Sequence, residues 1–507
     1  MNIRLKEKEI IKNIKSGKIN FGEYLSMRGD IGDDFLYYSI FEYAFEKKNK
    51  IEGYKKESTG AIYTPRDIVE MMVEKSLDRF DELWNIKIME PSSGSGNFVH
   101  VAFDILLKRL KKEKPEKNEN EIKEHIAKNI MYLSEYNPYA LVTTIYRIKD
   151  IFGVVLKNTY LGNSLLFSCP EKIDNKVGGY YGLKRVELKE TKKLLSEALS
   201  GLNNDSFKGE EIKKLKFDLV IGNPPYGNLL KKEFKKYIGD KYSNVALSFF
   251  DMGYKILKSE GVLSYIAPHS FSRTEGSKNW RKSIYDNKSL SEIIDCGNPF
   301  YDITLETAIY FLEKKYNKKV KLSSLKDKSY GFLGDFEKIF KSGTYRFIMY
   351  YDEIYEKINE RNDLIYPFGG KRGNDLSKSN MDDTKKEDNM LFVLGKNIQK
   401  GKIVSISGYD RYINKSLVDN KYKISDKYLA ITQFGTNLKA AILGKNHYPS
   451  GGVVLVSLEG ISMEDGMNYL NEEYINYYLK RYILNNADLT VHLDGVYLKE
   501  IPYNIID

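Results

Sequence analysis

The sequence predicts an α/β fold, a doubly wound and mostly parallel sheet with a small helical cap before it and a mixed α+β module after it. Three observations point there. From about residue 58 to about residue 325, apolar runs of strand length alternate with stretches of helical periodicity, the pattern of a sheet wrapped by crossover helices. The first of those strands runs into a Gly/Ser turn that opens a helix. On either side the pattern changes: residues 1–57 carry helical spacing, and residues beyond 325 carry short β-like runs and a polar stretch. We expect three domains, 1–57, 58–325 and 326–507.

In the first, Ile10, Ile11 and Ile14 recur at helical spacing, as do Phe35, Ile40, Phe41 and Phe45. In the second, a helix is expected over Pro65–Phe80 and a strand over Ile86–Met89. A helix from Asn97 to about Lys112 should follow, then a solvated loop at Lys111–Asn120. Further strands fit Met131–Leu133, Phe217–Ile221, Gly261–Ala267, Ser291–Asp295 and Thr307–Leu312, with a helix beginning near Pro138. The Lys/Glu-rich segment from Glu171 to Lys216 reads as an excursion from the sheet. In the third, Lys371–Met390 is polar and expected to be mobile. Ile403–Ile406, Leu429–Thr432 and Val453–Ser457 read as strands and Tyr469–Tyr482 as one helix.

Composition narrows the function classes. The 507 residues are 42% hydrophobic and 30% charged, ordinary for a soluble globular protein. No apolar run nears the ~20 residues of a membrane helix, and the charged N-terminus has no hydrophobic leader, so a cytoplasmic protein with no membrane partner is expected. Cys169 and Cys296 stand far apart, and the five histidines are scattered, which suits neither a disulfide framework nor a metal centre. Lys plus Arg exceed Asp plus Glu by 80 to 70, a net charge of +10 that favours a polyanionic partner.

Chemistry concentrates in two segments. Ile86–Phe98, IKIMEPSSGSGNF, is strand, acid, Gly-rich turn and helix. Gly94 and Gly96 let the backbone approach a ligand closely, and the helix N-terminus adds unpaired N–H groups. The turn is shorter than the dinucleotide fingerprint, and Glu90 precedes it. An acid there suits a cationic ligand better than a phosphate, and S-adenosylmethionine carries a sulfonium and an ammonium. Glu135 ends a second strand, where an acid can accept ribose hydroxyls, and Asn163 in LGNSLLF can accept from an adenine amine.

The second segment, Phe217–Asn228, runs an apolar strand into Asn223, Pro224, Pro225 and Tyr226. Two prolines stop the sheet and fix an extended backbone. Their geometry leaves the Pro224 carbonyl and the Asn223 side-chain carbonyl as two acceptors for one NH2 group. Such acceptors stabilise the positive charge that develops when a conjugated amine attacks an electrophilic methyl. Tyr226 can stack on a flat substrate.

These motifs, in this order, resemble the gamma class of amino-methyltransferases of the TaqI-methylase and Eco57I-like kind. TGAIYTP (Thr59–Pro65) resembles the opening motif that lies over the cofactor, EPSSGSGNF the acid-and-glycine motif, and GVLSYIAPHSF (Gly261–Phe271) a later strand and turn. CGNPFYDITLETAIYFL (Cys296–Leu312) resembles the motif that supplies an aromatic to a flipped base, with Phe300 at the matching position and Tyr301 as the fallback. The resemblance implies a Rossmann-like, S-adenosylmethionine-dependent, site-specific adenine-N6 DNA methyltransferase with a C-terminal target-recognition domain. Asn223, where N4-cytosine enzymes usually carry Ser, marks adenine. It implies catalysis by Asn223, Pro224, Pro225 and Tyr226, base stacking by Phe300 and Tyr226, and cofactor contacts from Tyr63, Thr64, Pro65, Glu90, Ser92, Gly94, Gly96, Asn97, Glu135 and Asn163, without a metal. Asn163 departs from the usual Asp, and Ser92 and Ser93 from the usual Ala-Cys.

An adenine N6 inside a duplex is out of reach, so base flipping is implied. Sequence choice then falls to the C-terminal module. Between Lys396 and Lys445, ten basic residues stand against three acids, interleaved with Tyr409, Tyr412, Tyr422, Tyr428 and Phe434. Lys371, Arg372, Lys396, Lys400, Lys402 and Arg411 are the candidate contacts to double-stranded DNA. The chain is expected to be either the modification enzyme of a restriction-modification system, with a separately encoded restriction endonuclease as partner, or an orphan methylase without one; methylation and no cleavage are expected from this chain, in a bacterial or archaeal nucleoid. RNA adenine and protein-glutamine methylation are the competing readings. The ~180 residues after Leu325 weigh against the glutamine reading.

Overall fold

The computed structural model describes residues 3–48, 64–168, 215–227, 242, 244–300, 303–375, 381–418, 427–435, 437–489, 491–493 and 495–505. The expected excursion at Glu171–Lys216 lies almost wholly outside them, as do Cys169, Tyr63 and Tyr301. The chain divides into two compact units, residues 1–345 and 346–507. No helix among the described residues is long and apolar enough to cross a membrane.

The first unit opens with four helices, α1 (Ile3–Ser16), α2 (Phe21–Ser26), α3 (Arg28–Ile31) and α4 (Asp34–Lys48). Their apolar side chains, Ile10, Tyr24 and Phe41 among them, share one core with helices α5 (Arg66–Leu77) and α6 (Asn97–Glu113) and with the sheet. A short helix α7 (Glu119–His125) follows. The sheet has nine strands: β1 (Ile88–Glu90), β2 (Met131–Glu135), β3 (Asn158–Leu161), β4 (Phe217–Gly222), β5 (Leu257–Pro268), β6 (Leu290–Gly297), β7 (Thr307–Glu313), β8 (Lys319–Ser324) and β9 (Gly331–Asp335). Their order is β3-β2-β1-β4-β5-β7-β6-β8-β9.

From β3 to β5 every pairing is parallel, as expected for strands buried on both faces. Antiparallel pairing enters where β7 inserts between β5 and β6. The sheet is therefore mixed. β8 and β9, unforeseen in the sequence, extend it past β6. Lys319–Ser324 alternates exposed and buried residues, a period-two signal hidden among lysines.

The strand order places a topological switch between β1 and β4. The chain leaves β1 toward β2 and β3, then returns to build outward from β4. The crevice beyond the carboxyl ends of such a strand pair is where open α/β sheets bind ligands. Helix α8 (Pro138–Phe152), after β2, is strongly specified. The Asn137 side chain caps it by accepting from Tyr139 N at 3.0 Å, Pro138 occupies its first turn, and Gly153 ends it in the left-handed conformation.

The second unit holds a four-stranded antiparallel sheet and a three-stranded one. The strands are β10 (Phe368–Arg372), β11 (Asn389–Val393), β12 (Arg411–Asn414), β13 (Tyr428–Thr432), β14 (Ala440–Leu443), β15 (His447–Pro449) and β16 (Val453–Leu458). β10, β16, β13 and β14 form the larger sheet in that order; β12, β11 and β15 form the smaller. Two expectations need correction. Lys371 and Arg372 are not in a mobile loop but on β10, paired with Leu455 and Val454 of β16. The helix expected over Tyr469–Tyr482 is interrupted: one helix spans Met463–Leu470 and another Glu473–Tyr478. Asn471 sits at the break. Its side chain accepts from Ala440 N at 3.0 Å and donates to Ala440 O at 2.9 Å, so it is tied to the sheet.

Candidate active site

The Gly-rich turn leaves the end of β1 and the Asn-Pro-Pro-Tyr segment leaves the end of β4, its hydrogen-bonded neighbour. Hydrogen bonds join the two. The Ser92 hydroxyl lies 3.3 Å from Asn223 O and 3.4 Å from Glu90 Oε1. Ser92 N also donates to Glu90 Oε1, at 3.1 Å. Asn223 Nδ2 donates to Thr64 Oγ1 at 3.0 Å, which brings the opening motif onto the same residue. That bond orients the Asn223 amide with its carbonyl oxygen turned from Thr64. The Tyr226 hydroxyl donates to this Oδ1 at 2.5 Å and lies 3.1 Å from Ile266 O on β5. Burial pushes the Tyr226 phenol well above its usual range, so it keeps its proton.

Glu90 is 1% exposed, and its Oε2 has no hydrogen-bond partner among the described residues. The hydroxyls of Ser93 and Ser95 in the same turn are likewise buried and unpartnered. Such unsatisfied polar atoms in one turn are costly in a folded chain unless a ligand completes them. Gly222, the last residue of β4, makes room for the acid: a Cβ there would lie 2.6 Å from Glu90 Oε2. Sequence reading missed Gly222, although its place directly before Asn223 was a usable signal.

Glu135, at the end of β2, accepts from Gly94 N and from Asn137 N, each at 2.8 Å. The Tyr136 N–H also acts on this carboxylate, which still has acceptor capacity for a ligand donor. Burial pushes Glu90 up to about 8, with the Glu135 charge adding to it and Ser92 partly offsetting it. Burial pushes Glu135 up to about 7 against the opposing N–H groups of Asn137 and Gly94. Two acids held in this way, Glu90 buried and Glu135 partly so, favour a cationic ligand.

The remaining predicted residues have structural tasks of their own. Gly96 adopts φ +84°, and a Cβ there would meet Thr144 Cγ2 at 2.8 Å. The Thr144 hydroxyl in turn donates to Gly94 O at 2.7 Å. Asn97 Oδ1 accepts from Arg147 Nη1 at 2.7 Å, and Asn163 Oδ1 accepts from Leu165 N at 3.0 Å. Pro65 precedes α5 and accepts from Val69 N. Phe300 is 4% exposed and belongs to the same core as Cys296.

Arg147, unforeseen, is fully buried on α8. It donates to Ser95 O, Asn97 Oδ1 and His100 Nδ1 and lies 4.7 Å from the Phe35 ring and 4.9 Å from the Tyr38 ring. It ties the Gly-rich turn to the N-terminal helices. Burial, with Arg147 beside it, lowers His100 to about 3, so the imidazole is neutral and accepts from the guanidinium.

In the second unit, Arg372 donates to Gly451 O at 2.7 Å and pairs with Asp375 at 3.0 Å. Arg411 pairs with Asp383 at 3.1 Å. Both guanidinium groups have partners within this unit, in ion pairs that stand at the surface. Lys396 lies 5.0 Å from the Tyr409 ring, and Lys371, Lys400 and Lys402 are exposed.

Residues 103–301 match the family model described as Eco57I restriction-modification methylase. The chain is 26% identical over 275 residues to the type II methyltransferase M.BstVI of Geobacillus stearothermophilus, covering 52% of this chain and 43% of that protein. It is 29% identical over 191 residues to the type II restriction enzyme and methyltransferase RM.Eco57I of Escherichia coli, covering 34% of this chain and 19% of that protein. These matches span less than half the length of either relative. Among solved structures, a nuclease-deletion mutant of the type ISP restriction-modification enzyme LlaGI aligns with a TM-score of 0.54 at 14% identity, over 92% of this chain and 47% of that one. The type IIL restriction-modification enzyme MmeI aligns with 0.52 at 11% identity, over 88% and 68%. The two structural likenesses bear on the fold, and the family match bears on residues 103–301, which are similar to the Eco57I restriction-modification methylases.

Proposed function

We propose that this chain is an S-adenosylmethionine-dependent DNA methyltransferase that modifies the exocyclic N6 of adenine. The carrying observation is the union of Thr64, Ser92 and Asn223 by hydrogen bonds at the switch between β1 and β4. It sets an amide acceptor beside a turn whose buried acid has an unsatisfied oxygen. The residues fit the cofactor. Glu90 and the Gly94–Gly96 backbone would hold its charged amino-acid end and Glu135 its ribose, with Asn163 near the adenine. When bound it supplies an electrophilic methyl group on a sulfonium.

The chain's own residues do the rest. Asn223 Oδ1 and the Pro224 carbonyl accept from the target amine and favour the charge that develops on it. Thr64 fixes which face of the Asn223 amide is the acceptor. Tyr226 lies within the motif as a stacking surface. Phe300 meets a base only after leaving its present core packing. Extracting the base costs a few kcal/mol, which stacking partly offsets. Residues 346–507 would read the duplex, with Lys396, Lys400 and Lys402 as phosphate contacts. MmeI in complex with DNA is a structural neighbour that supports this reading.

The test is single-molecule sequencing of DNA from cells expressing the chain, beside Asn223→Ala. N6-methyladenine at one motif, lost in the variant, is expected. Unmodified DNA, with labelled methyl transferred by the pure chain to RNA or protein instead, overturns the proposal.

A further inference from the structure

Helix α4 carries a buried acid that the proposed reaction does not use. Glu42 is 4% exposed, among the buried aromatic residues Tyr37, Tyr38 and Phe41 of the same helix. Its Oε1 accepts from Asn137 Nδ2 at 2.8 Å. Asn137 is spent at every other polar atom. Its Oδ1 caps α8 through Tyr139 N, its carbonyl accepts from Leu141 N, and its own N–H donates to Glu135 Oε1. The chain of contacts thus runs from Glu42 through Asn137 to Glu135, and from Glu135 Oε2 to Gly94 N of the Gly-rich turn.

Packing makes this chain rigid. The Phe41 ring, next to Glu42, stacks on Tyr146 of α8 with centroids 4.8 Å apart. Tyr38, one turn earlier, bonds Asp150 at the other end of α8. Helices α4 and α8 are therefore clamped along their length, with Glu42 at the end nearest the site. A buried carboxylate is expensive, and this one stands close enough to Glu135 for its charge to disfavour a second ionised acid. A cap on α8 needs only Asn137 Oδ1, so the bond from Asn137 Nδ2 to Glu42 is additional to the cap.

We infer that Glu42 is a positioning residue for the cofactor: by holding the Asn137 side chain it fixes the Glu135 carboxylate against the Gly-rich turn. This rests on the cofactor reading proposed above. It makes the N-terminal helices part of the binding machinery, and it means that a chain lacking α4 retains the Glu135 residue but not its orientation.

The test is calorimetric binding of S-adenosylhomocysteine to the full chain, with steady-state kinetics beside it. Asn137→Asp keeps an acceptor for Tyr139 N, removes the donor to Glu42 and sets a second carboxyl against it. It is expected to weaken binding about tenfold, the scale of removing a buried hydrogen bond to a charged group, and to raise KM for S-adenosylmethionine with little change in kcat. Combining it with Glu42→Gln restores a donor–acceptor pair of reversed polarity and is expected to recover most of the affinity. Wild-type binding by Asn137→Asp and by Glu42→Ala, with only the melting temperature lowered, overturns the inference and leaves the cofactor reading intact. A wild-type chain that binds no S-adenosylhomocysteine overturns both.

Discussion

The Tyr226 hydroxyl donates to Asn223 Oδ1 at 2.5 Å, so the acceptor proposed for a target amine is held by a residue of the same motif. An incoming amino group would take the second lone pair of Oδ1 or displace that hydroxyl, which has Ile266 O at 3.1 Å as its alternative acceptor. Tyr226→Phe removes the competing donor and keeps a ring. It should leave turnover within about tenfold of the parent, whereas Asn223→Ala should lose ~10²–10³-fold, the scale for one transition-state acceptor or donor. Steady-state methylation of a duplex substrate decides. A Phe variant as inert as Asn223→Ala would show that the hydroxyl is itself required.

The two acids make cofactor binding depend on pH. Burial has raised Glu90 to about 8 and Glu135 to about 7, so near neutrality both are partly protonated, while a cationic ligand selects the ionised forms. Affinity should rise between about pH 6 and about 8 and level off above, with protons released on binding. For folding the sign is opposite. A carboxyl whose folded value exceeds its unfolded value of 4.5 stabilises the chain fully below about 4.5 and loses that contribution as pH rises through about 7 to 8. A bound analogue should therefore raise the melting temperature more at about pH 8 than at about pH 6. Calorimetry in buffers of differing ionisation enthalpy reads the proton count, and affinity that is flat from about pH 6 to about 9 sinks the idea.

Gly222→Ala should damage the site without altering any group that meets the ligand. The added Cβ would press on the Glu90 carboxylate, at a backbone φ of +155° that side chains rarely adopt. Cofactor affinity should fall at least about tenfold through displacement of Glu90, with strain on the order of 1–3 kcal/mol. Equilibrium binding and thermal melts together separate the two effects. Unchanged affinity would mean that the turn relaxes freely.

Much of this site was readable because its residue types are chemically constrained. Proline pairs end strands, glycines permit close approach, and an acid after a strand faces the crevice, so Glu90, Glu135 and Asn223 followed from the sequence. Asn137 and Pro138 specify the start of α8 by cap chemistry alone. Partners distant in sequence were not readable. Arg147 looks like any helix arginine until folding seats it against Ser95 O and Asn97. Glu42 looks like a surface acid until Asn137 is beside it. β8 failed for another reason: its lysines flank buried Val320 and Leu322, and charge masked the alternation. In the second unit Asn471 breaks a helix that periodicity ran straight through, because its side chain bonds Ala440, far upstream in the sequence.

The second unit should be sensitive to a single buried pair. Arg346 donates to Glu500 Oε2 from Nε at 2.9 Å and from Nη2, and Nη1 donates to the carbonyls of Tyr482 and Ile483. Arg346→Met leaves a buried carboxylate and two carbonyls without their donor, which should cost about 3–5 kcal/mol. Arg346→Met with Glu500→Leu should cost clearly less, since no charge is left behind. Urea unfolding with intrinsic fluorescence measures both. Equal losses would mean that packing rather than charge governs the site.

DNA binding by residues 346–507 should be electrostatic in a countable way. Lys396, Lys400 and Lys402 cluster closely in sequence; Lys400 lies in the turn that joins two short paired segments and Lys402 directly follows it. Arg372 and Arg411 are instead held by Asp375 and Asp383. Replacing each lysine with Gln should therefore weaken binding across all sequences and lower the slope of log affinity against log salt by ~0.9 for each phosphate no longer neutralised. Replacing Arg372 should act mainly on stability. Fluorescence anisotropy with one duplex over a salt series distinguishes these outcomes. A slope unchanged in the triple lysine variant would place the phosphate-binding residues elsewhere in the chain, and an Arg372→Gln variant with a normal melt but a reduced slope would reverse this division of labour.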